Sequence, residues 1–271
     1  MPRHSPPVSR FRSTEDALPK PRFAGRTAVV TGAARGIGAA TALRLSQDGA
    51  RVLLVDQLDQ VEETANAMGQ TGLILDLAEP GASASVLAQL DGMDVGPLDI
   101  LVNNAGIGGS RLLPDSDDAH LLRLIEVNLR AVISLTRDLS PRLRRPGGRV
   151  VNVSSIFGMI GNAGTIGYGV AKAGIAQFSR QLATELGPKG ITVNAIAPGV
   201  VATEMTQEHL KSSRYRQLQV APIPLGRISQ PHEQAAVIAF LASDEASFVS
   251  GAVLPVDGGF LATRHAPFST E

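Results

Sequence analysis

The sequence predicts a single α/β domain, in which a doubly wound parallel sheet of about seven strands carries helices on both faces. Short apolar runs alternate with longer helix-like segments over most of the 271 residues. This alternation is typical of parallel sheets whose strands are joined by crossover helices. Hydrophobic residues make up 44% of the chain, which is enough to build a core on both faces of such a sheet.

The predicted strands are short and rich in leucine and β-branched residues. Several are apolar at almost every position, as strands buried on both faces are. In chain order they are 27–31, 51–55, 73–75, 98–102, 149–153, 191–196 and 252–256. Pro255 lacks the N–H that a central strand donates, so the last strand is predicted near an edge of the sheet.

The segments between the strands have helical patterns. The predicted helices are 36–48, 58–68, 79–92, 117–144, 163–187 and 229–243. Residues 25–261 contain no linker and are predicted to form one domain, preceded by a flexible, proline-rich arm (1–24) and followed by a tail (262–271). Residues 199–228 form a longer connection than the fold needs, which is typical of a lid.

Composition excludes several classes of protein. The 25 basic and 25 acidic side chains give a formal charge of zero, which argues against nucleic-acid binding. The chain has no cysteine and its five histidines are scattered, so no disulfide and no metal site are expected. No apolar run is long enough for a membrane helix and no secretory signal is recognisable, so a cytoplasmic protein is predicted.

A glycine-rich turn joins the first predicted strand to the first helix. Its sequence, Thr31-Gly-Ala-Ala-Arg-Gly-Ile-Gly38, lets the backbone approach a pyrophosphate, which the helix N-terminus then binds. Asp56 ends the second strand, where a carboxylate binds the ribose of a dinucleotide. The two features together predict a Rossmann-like dinucleotide site.

The same region indicates which dinucleotide is bound. The carboxylate of Asp56 accepts hydrogen bonds from the ribose 2′-hydroxyl of NAD and repels the 2′-phosphate of NADP. Arg35 favours NADP, because a guanidinium near the ribose pairs with that phosphate. Since Asp56 addresses the 2′ position directly, NAD is the predicted cofactor and NADP the alternative.

Three polar residues near the fifth strand predict acid–base chemistry. Ser155 lies at the carboxyl end of this strand, where ligands bind in open α/β sheets, and Ser154 is an adjacent alternative. Tyr168 and Lys172 follow in a helix, and their i, i+4 spacing places them on one face. A free tyrosine has a pKa of about 10, and a neighbouring ammonium lowers it. Tyr168 is therefore a candidate base near neutral pH.

These motifs resemble those of the short-chain dehydrogenases/reductases over about residues 25–261. The glycine-rich turn resembles the cofactor loop of that family, and three further motifs follow: Asn103-Asn-Ala-Gly106, Pro198-Gly199 with Thr203, and Val256-Asp-Gly-Gly259. The resemblance implies a catalytic tetrad of Asn128, Ser155, Tyr168 and Lys172. It also implies cofactor contacts from Gly32, Arg35, Gly36, Ile37, Gly38, Asp56, Asp76, Leu77, Asn104, Ala105, Gly106, Tyr168, Lys172, Pro198, Gly199, Val201 and Thr203.

The family resemblance implies hydride transfer between a nicotinamide and the carbon of a secondary alcohol or ketone. Tyr168 is then the general base in oxidation and the general acid in reduction. Lys172 lowers its pKa and holds the nicotinamide ribose, Ser155 binds the substrate oxygen, and Asn128 holds a water that links Lys172 to solvent. A homotetramer is also implied.

Two alternatives stay open at this stage. One is an NADPH-dependent 3-oxoacyl-thioester reductase, against which Asp56 argues. The other is a dinucleotide sensor without catalysis, a class that typically lacks the tyrosine or the lysine. The predicted substrate is a medium-sized small molecule, because residues 156–160 are predicted to form an apolar wall. The lid has a local charge of +2 over residues 204–227, which attracts an acidic substrate or marks a solvated helix face.

Overall fold

The computed structural model describes residues 21–262. Within them, parallel strands form one sheet in the order β3-β2-β1-β4-β5-β6-β7. The strands are β1 (Thr27–Thr31), β2 (Arg51–Asp56), β3 (Thr71–Ile74), β4 (Ile100–Asn103), β5 (Arg149–Val153), β6 (Thr192–Pro198) and β7 (Val253–Val256). The predicted class is confirmed, and β7 lies at an edge of the sheet, as Pro255 indicates.

The helices lie between the strands. They are α1 (Gly36–Gln47), α2 (Gln60–Ala67), α3 (Ala82–Gly92), α4 (Asp118–Ile125), α5 (Ala131–Leu139), α6 (Ile166–Leu186), α7 (Glu204–Lys211), α8 (Ser213–Tyr215) and α9 (Pro231–Leu241). The lid, residues 199–228, contains α7, α8 and a π-helical turn at Arg216–Val220.

The predicted helix 117–144 is not continuous. A π-helical turn at Glu126–Arg130 separates α4 from α5, and a 3₁₀ turn that contains Pro141 follows α5. Single π-helical turns of this kind are frequent at functional sites. The prediction of one long helix was therefore wrong, because an apolar periodicity does not show where a helix locally widens.

Two hydrophobic cores lie on the two faces of the sheet. Consecutive residues of β2 alternate between them: Leu54 belongs to the core that contains Phe23 and Ile238, and Leu53 belongs to the core that contains Leu139. This alternation follows from the period of two residues in a strand. It also explains why the sequence of β2 is apolar at nearly every position.

Residues 21–24 pack against the domain. The side chain of Phe23 is fully buried, and its N–H donates to the carbonyl of Asp48 at 2.7 Å. Arg22 forms an ion pair with Glu245. The last residues of the predicted arm thus contribute to the core. The rest of that arm, the tail from residue 263, and His4 and His265 lie outside the described residues. No helix in the described part of the chain is long and apolar enough to span a membrane.

Candidate active site

A cavity of about 840 Å³ opens at the carboxyl ends of the parallel strands. Its volume lies within the range of small-molecule and cofactor sites, and its position is where open α/β sheets bind ligands. All the predicted site residues line this cavity except Gly38. The structure thus brings the two predicted groups, the cofactor contacts and the tetrad, into one continuous space.

Three positions of the glycine-rich turn, residues 32–38, require glycine. Gly32 and Gly36 have φ angles of +63° and +60°, which disfavour other residues. Gly38 lies inside, and a Cβ there would be 2.0 Å from the carbonyl oxygen of Gly32. Within residues 21–262 no side chain caps the N-terminus of α1, so its N–H groups remain available to a pyrophosphate. The turn fits a dinucleotide.

The loop after β4 is hydrogen-bonded to this turn. The hydroxyl of Thr31 accepts from the N–H groups of Asn104 and Ala105 at 3.0 and 3.1 Å. The side-chain amide of Asn104 in turn donates to the carbonyls of Thr31 and Gly32, both at 2.9 Å. These bonds hold Ala105 against the turn, and both segments line the same side of the cavity.

Asp56 lies at the far end of the cavity, beside the glycine-rich turn. Its carboxylate accepts from the N–H groups of Ala34 at 3.0 Å and Leu58 at 3.1 Å, and these bonds fix its direction. Arg35 lines the same end, and its exposed side chain has no hydrogen bond or ion pair to any of residues 21–262. Both groups that bear on the 2′ position of a dinucleotide therefore lie together.

Ser154 and Ser155 have different environments, although they are neighbours in the sequence. The hydroxyl of Ser154 is buried and donates to the carbonyl of Lys172 at 2.7 Å, so it fixes α6 to the sheet. Ser155 caps a 3₁₀ turn by accepting from the N–H of Phe157 at 3.2 Å, and it is hydrogen-bonded to Tyr168. Ser155 is thus the serine that shares the site with the tyrosine.

Lys172 is buried in the floor of the cavity, with 4% of its surface exposed. Its ammonium donates to the carbonyl of Val153 at 2.9 Å and lies 5.8 Å from the centre of the Tyr168 ring. Burial lowers the pKa of Lys172 to about 8, because the charged form loses its hydration. A lysine that titrates so close to neutrality can exchange protons with the site.

The pKa of Tyr168 differs from the prediction. Burial raises it above the usual value, the hydrogen bond to Ser155 lowers it in part, and the nearby Tyr215 raises it again. The sequence predicts a pKa lowered by Lys172. In the protein alone the loss of hydration is the largest effect on this pKa, and Ser155, not Lys172, is the group that lowers it.

Asn128 lies in the π-helical turn and is fully buried. Its amide donates to the carbonyls of Ile107 and Leu124, both at 3.0 Å, and its oxygen accepts from the N–H of Ile107 at 3.1 Å. These bonds fix the loop after β4 at Gly106, where a Cβ would lie 2.6 Å from the Asn128 oxygen and 3.2 Å from the Lys172 nitrogen. The side chain therefore shapes the floor of the cavity.

The substrate side of the cavity contains residues that the sequence did not single out. Asn162 comes from the loop after β5, and His209, Arg214 and Gln219 come from the lid. Tyr215 lines the cavity as well. The chain has only two tyrosines, and both line this site. Their scarcity and the local charge of +2 in the lid were the signals that the sequence offered.

The predicted apolar wall is correct only in its first half. Ile156 and Phe157 line the cavity, whereas Met159 and Ile160 are exposed and point away from it. Met159 and Ile160 directly follow the 3₁₀ turn Ile156–Gly158. Within residues 21–262, no cluster of His, Asp and Glu side chains has the arrangement of a metal site.

Comparison with known proteins identifies the family. A family model described as enoyl-(acyl carrier protein) reductase matches residues 32–261. The 3-oxoacyl-(acyl-carrier-protein) reductase of Pseudomonas aeruginosa is 41% identical over 87% of this chain and 97% of its own length. That of Escherichia coli is 39% identical over 88% and 98%.

A solved structure agrees with this result. A Beutenbergia cavernae protein described as an NAD(P)-dependent gluconate 5-dehydrogenase, with bound NADP, superimposes with a TM-score of 0.83 at 34% identity. The match covers 90% of this chain and all of the other. The chain belongs to the short-chain dehydrogenase/reductase family and is an oxidoreductase that acts on CH–OH groups with NAD(P).

Proposed function

We propose that the protein is an NAD-dependent dehydrogenase that interconverts a secondary alcohol and a ketone, with Tyr168 as the general acid/base. The observation that supports this most strongly is the convergence of Ser155, Tyr168 and Lys172 in the cavity whose other end is formed by the glycine-rich turn and Asp56.

The side chains divide the chemistry between them. The nicotinamide, when bound, accepts or returns the hydride. Ser155 donates to the substrate oxygen and places it against Tyr168, whose hydroxyl oxygen takes the proton in oxidation and returns it in reduction. Lys172 binds the nicotinamide ribose and stabilises negative charge on Tyr168. Asn128, by fixing Gly106, keeps the loop after β4 close to Lys172.

NAD is the proposed cofactor because of Asp56. A fixed carboxylate at the ribose end accepts from the 2′-hydroxyl of NAD and repels a 2′-phosphate. The structural neighbour from Beutenbergia cavernae holds NADP, and the exposed Arg35 is the residue here that suits NADP. Asp56 has the larger effect, because it is held in place by two N–H groups, whereas Arg35 must give up solvent to bind a phosphate.

Cofactor choice is tested by comparing kcat/KM for NAD and NADP. We expect the wild type to favour NAD, and Asp56→Ser to shift the ratio toward NADP by about tenfold or more, which is about 1.4 kcal/mol. Asp59→Ser is the matched control, since Asp59 is exposed and does not line the cavity. A wild-type preference for NADP, unchanged in Asp56→Ser, would show that Arg35 decides.

Catalysis is tested with Tyr168→Phe. Removal of the general acid/base lowers kcat by roughly 10²- to 10⁴-fold, while the affinity for NAD, measured by fluorescence titration, stays within a few-fold. Full activity of this variant would refute the assignment of Tyr168. Wild-type protein that binds NAD but turns over no alcohol or ketone of a broad panel would favour a sensor.

A second candidate function is the NADPH-dependent reduction of 3-oxoacyl thioesters. It is favoured by the reductase from Pseudomonas aeruginosa, which is 41% identical over nearly its full length. An acetoacetyl thioester tested with NADPH and with NADH distinguishes the two. Turnover of the thioester with NADPH alone, and none of simple secondary alcohols with NAD, would establish the second candidate.

A further inference from the structure

We propose that Arg214 selects substrates that carry an anionic group, a carboxylate or a phosphate, on the side of the cavity formed by the lid. This inference rests on the proposed function, since it names the substrate class of the same site.

Arg214 lies at the substrate side of the cavity. Its sequence neighbour Tyr215 interacts electrostatically with Tyr168, which places this part of the lid close to the reacting end. His209 also lines the cavity and stacks on Tyr215, with ring centres 5.3 Å apart and an angle of 20° between the planes. Arg214 and this aromatic pair therefore line the same cavity as the tyrosine of the tetrad.

The other cations of the lid are already engaged. Lys211 pairs with Glu208 at 2.6 Å, and Arg227 pairs with Glu233 at 2.7 Å. Arg216 donates to the carbonyl of Leu210 at 3.0 Å. The side chain of Arg214 is exposed and has no hydrogen bond or ion pair with any residue of the described range 21–262. Its guanidinium is therefore available to a ligand.

Arg35, Asp56, Lys172 and Glu204 are the other charged side chains in the cavity that lack an ion pair within the described range. Arg35, Asp56 and Glu204 lie on the cofactor side, and Lys172 is the buried cation of the floor. Arg35 belongs to the glycine-rich turn. Glu204 follows Thr203, whose methyl group would be 3.3 Å from a Cβ at Gly36. The substrate side therefore has a positive character, which the near-neutral composition of the whole chain conceals.

The lid segment that carries Arg214 is fixed at both ends. Ser212 accepts from the N–H of Tyr215 at 3.3 Å. Gln219 is buried and donates to the side-chain oxygen of Asn162, on the opposite rim, at 2.9 Å. A guanidinium on this segment can bind a carboxylate or phosphate through two parallel hydrogen bonds. A neutral substrate of equal size cannot form these charge-assisted bonds and should bind more weakly.

Calorimetry with matched pairs of probes tests the proposal without turnover. The enzyme saturated with NAD is titrated with acetoacetate and with acetoacetamide, and separately with 4′-phosphopantetheine and with pantetheine. We expect one anion to bind roughly tenfold or more tighter than its neutral partner, since hydrogen bonds to charged groups are worth that much. A difference between acetoacetate and acetoacetamide would indicate a hydroxy-acid substrate. A difference between 4′-phosphopantetheine and pantetheine would indicate a carrier-linked thioester.

Two variants assign the effect. Arg214→Gln is expected to remove the preference for the anion and to leave binding of the neutral probe unchanged. Arg216→Gln is the matched control, because Arg216 lies two residues away and does not line the cavity, and it should keep the preference. The proposal is overturned if neither anion binds more tightly than its partner, or if Arg214→Gln keeps the preference. Tyr168→Phe should retain it while losing turnover, so failure of the proposed function would be seen separately.

Discussion

Replacement of Lys172 by methionine should abolish activity and at the same time stabilise the fold at neutral pH. The side chain is almost fully buried, and among the described residues its ammonium has one hydrogen bond, to the carbonyl of Val153. Its pKa falls from the ordinary 10.5 to about 8 because the charged form loses its hydration. The native state therefore binds this proton less tightly than the unfolded chain does.

The size of the effect follows from these values. The difference between 10.5 and about 8 corresponds to roughly 3 kcal/mol of folding free energy that is lost at pH 7. Met removes this cost but also removes the bond to Val153, which is worth about 1 kcal/mol. The net gain is about 2 kcal/mol, or about 3 to 4 °C in Tm for a chain of this length.

Thermal unfolding of wild type and Lys172→Met at pH 7 and at pH 9.5 measures this gain. Because the unfolded chain binds more protons between pH 8 and pH 10.5, this lysine makes the wild type gain stability as pH rises through that window. The advantage of Lys172→Met should therefore shrink at the higher pH. Lys189→Met, at an exposed position, should change neither value. A lower Tm for Lys172→Met at pH 7, or an advantage independent of pH, would refute the reasoning.

Two further variants test the turn and the N-terminal segment. Gly38→Ala places a Cβ 2.0 Å from the Gly32 oxygen, and overpacking of this kind costs about 1–3 kcal/mol. We expect NAD affinity, measured by fluorescence titration, to fall about tenfold, and an unchanged affinity would contradict the assigned geometry. Phe23→Ala empties a fully buried position. We expect the free energy of unfolding to fall by about 3–5 kcal/mol and Tm by roughly 5–9 °C. A fall in Tm below 1 °C would show that residues 21–24 do not belong to the core.

The sheet and the cofactor side of the site could be predicted because local sequence determines them. An apolar strand followed by a glycine-rich turn permits few other structures, and Asp56 follows its strand directly. Tyr168 and Lys172 share a helix face because of a fixed periodicity. For these residues, spacing along the chain is equivalent to position in space.

The substrate side could not be predicted in this way. Asn162 and Gln219 are 57 residues apart and meet only through tertiary packing. Arg214 is one of several basic residues in the lid, and the sequence does not show which of them pair with acidic neighbours. The shift in the Tyr168 pKa also depends on burial, which is a property of the whole fold and not of the spacing to Lys172.

Several residues around the cavity adopt arrangements that are unfavourable for folding. The N-terminus of α1 has no side-chain cap, whereas α7 and α9 have capping boxes. Lys172 is buried without a carboxylate partner among the described residues, and Asn128 occupies a π-helical turn. Each of these features costs folding energy, and each leaves a donor, a cation or a loop directed at the cavity. Because packing elsewhere maintains them, the energy is recovered only when a ligand binds. We therefore expect NAD to raise the Tm of the wild type more than that of Lys172→Met.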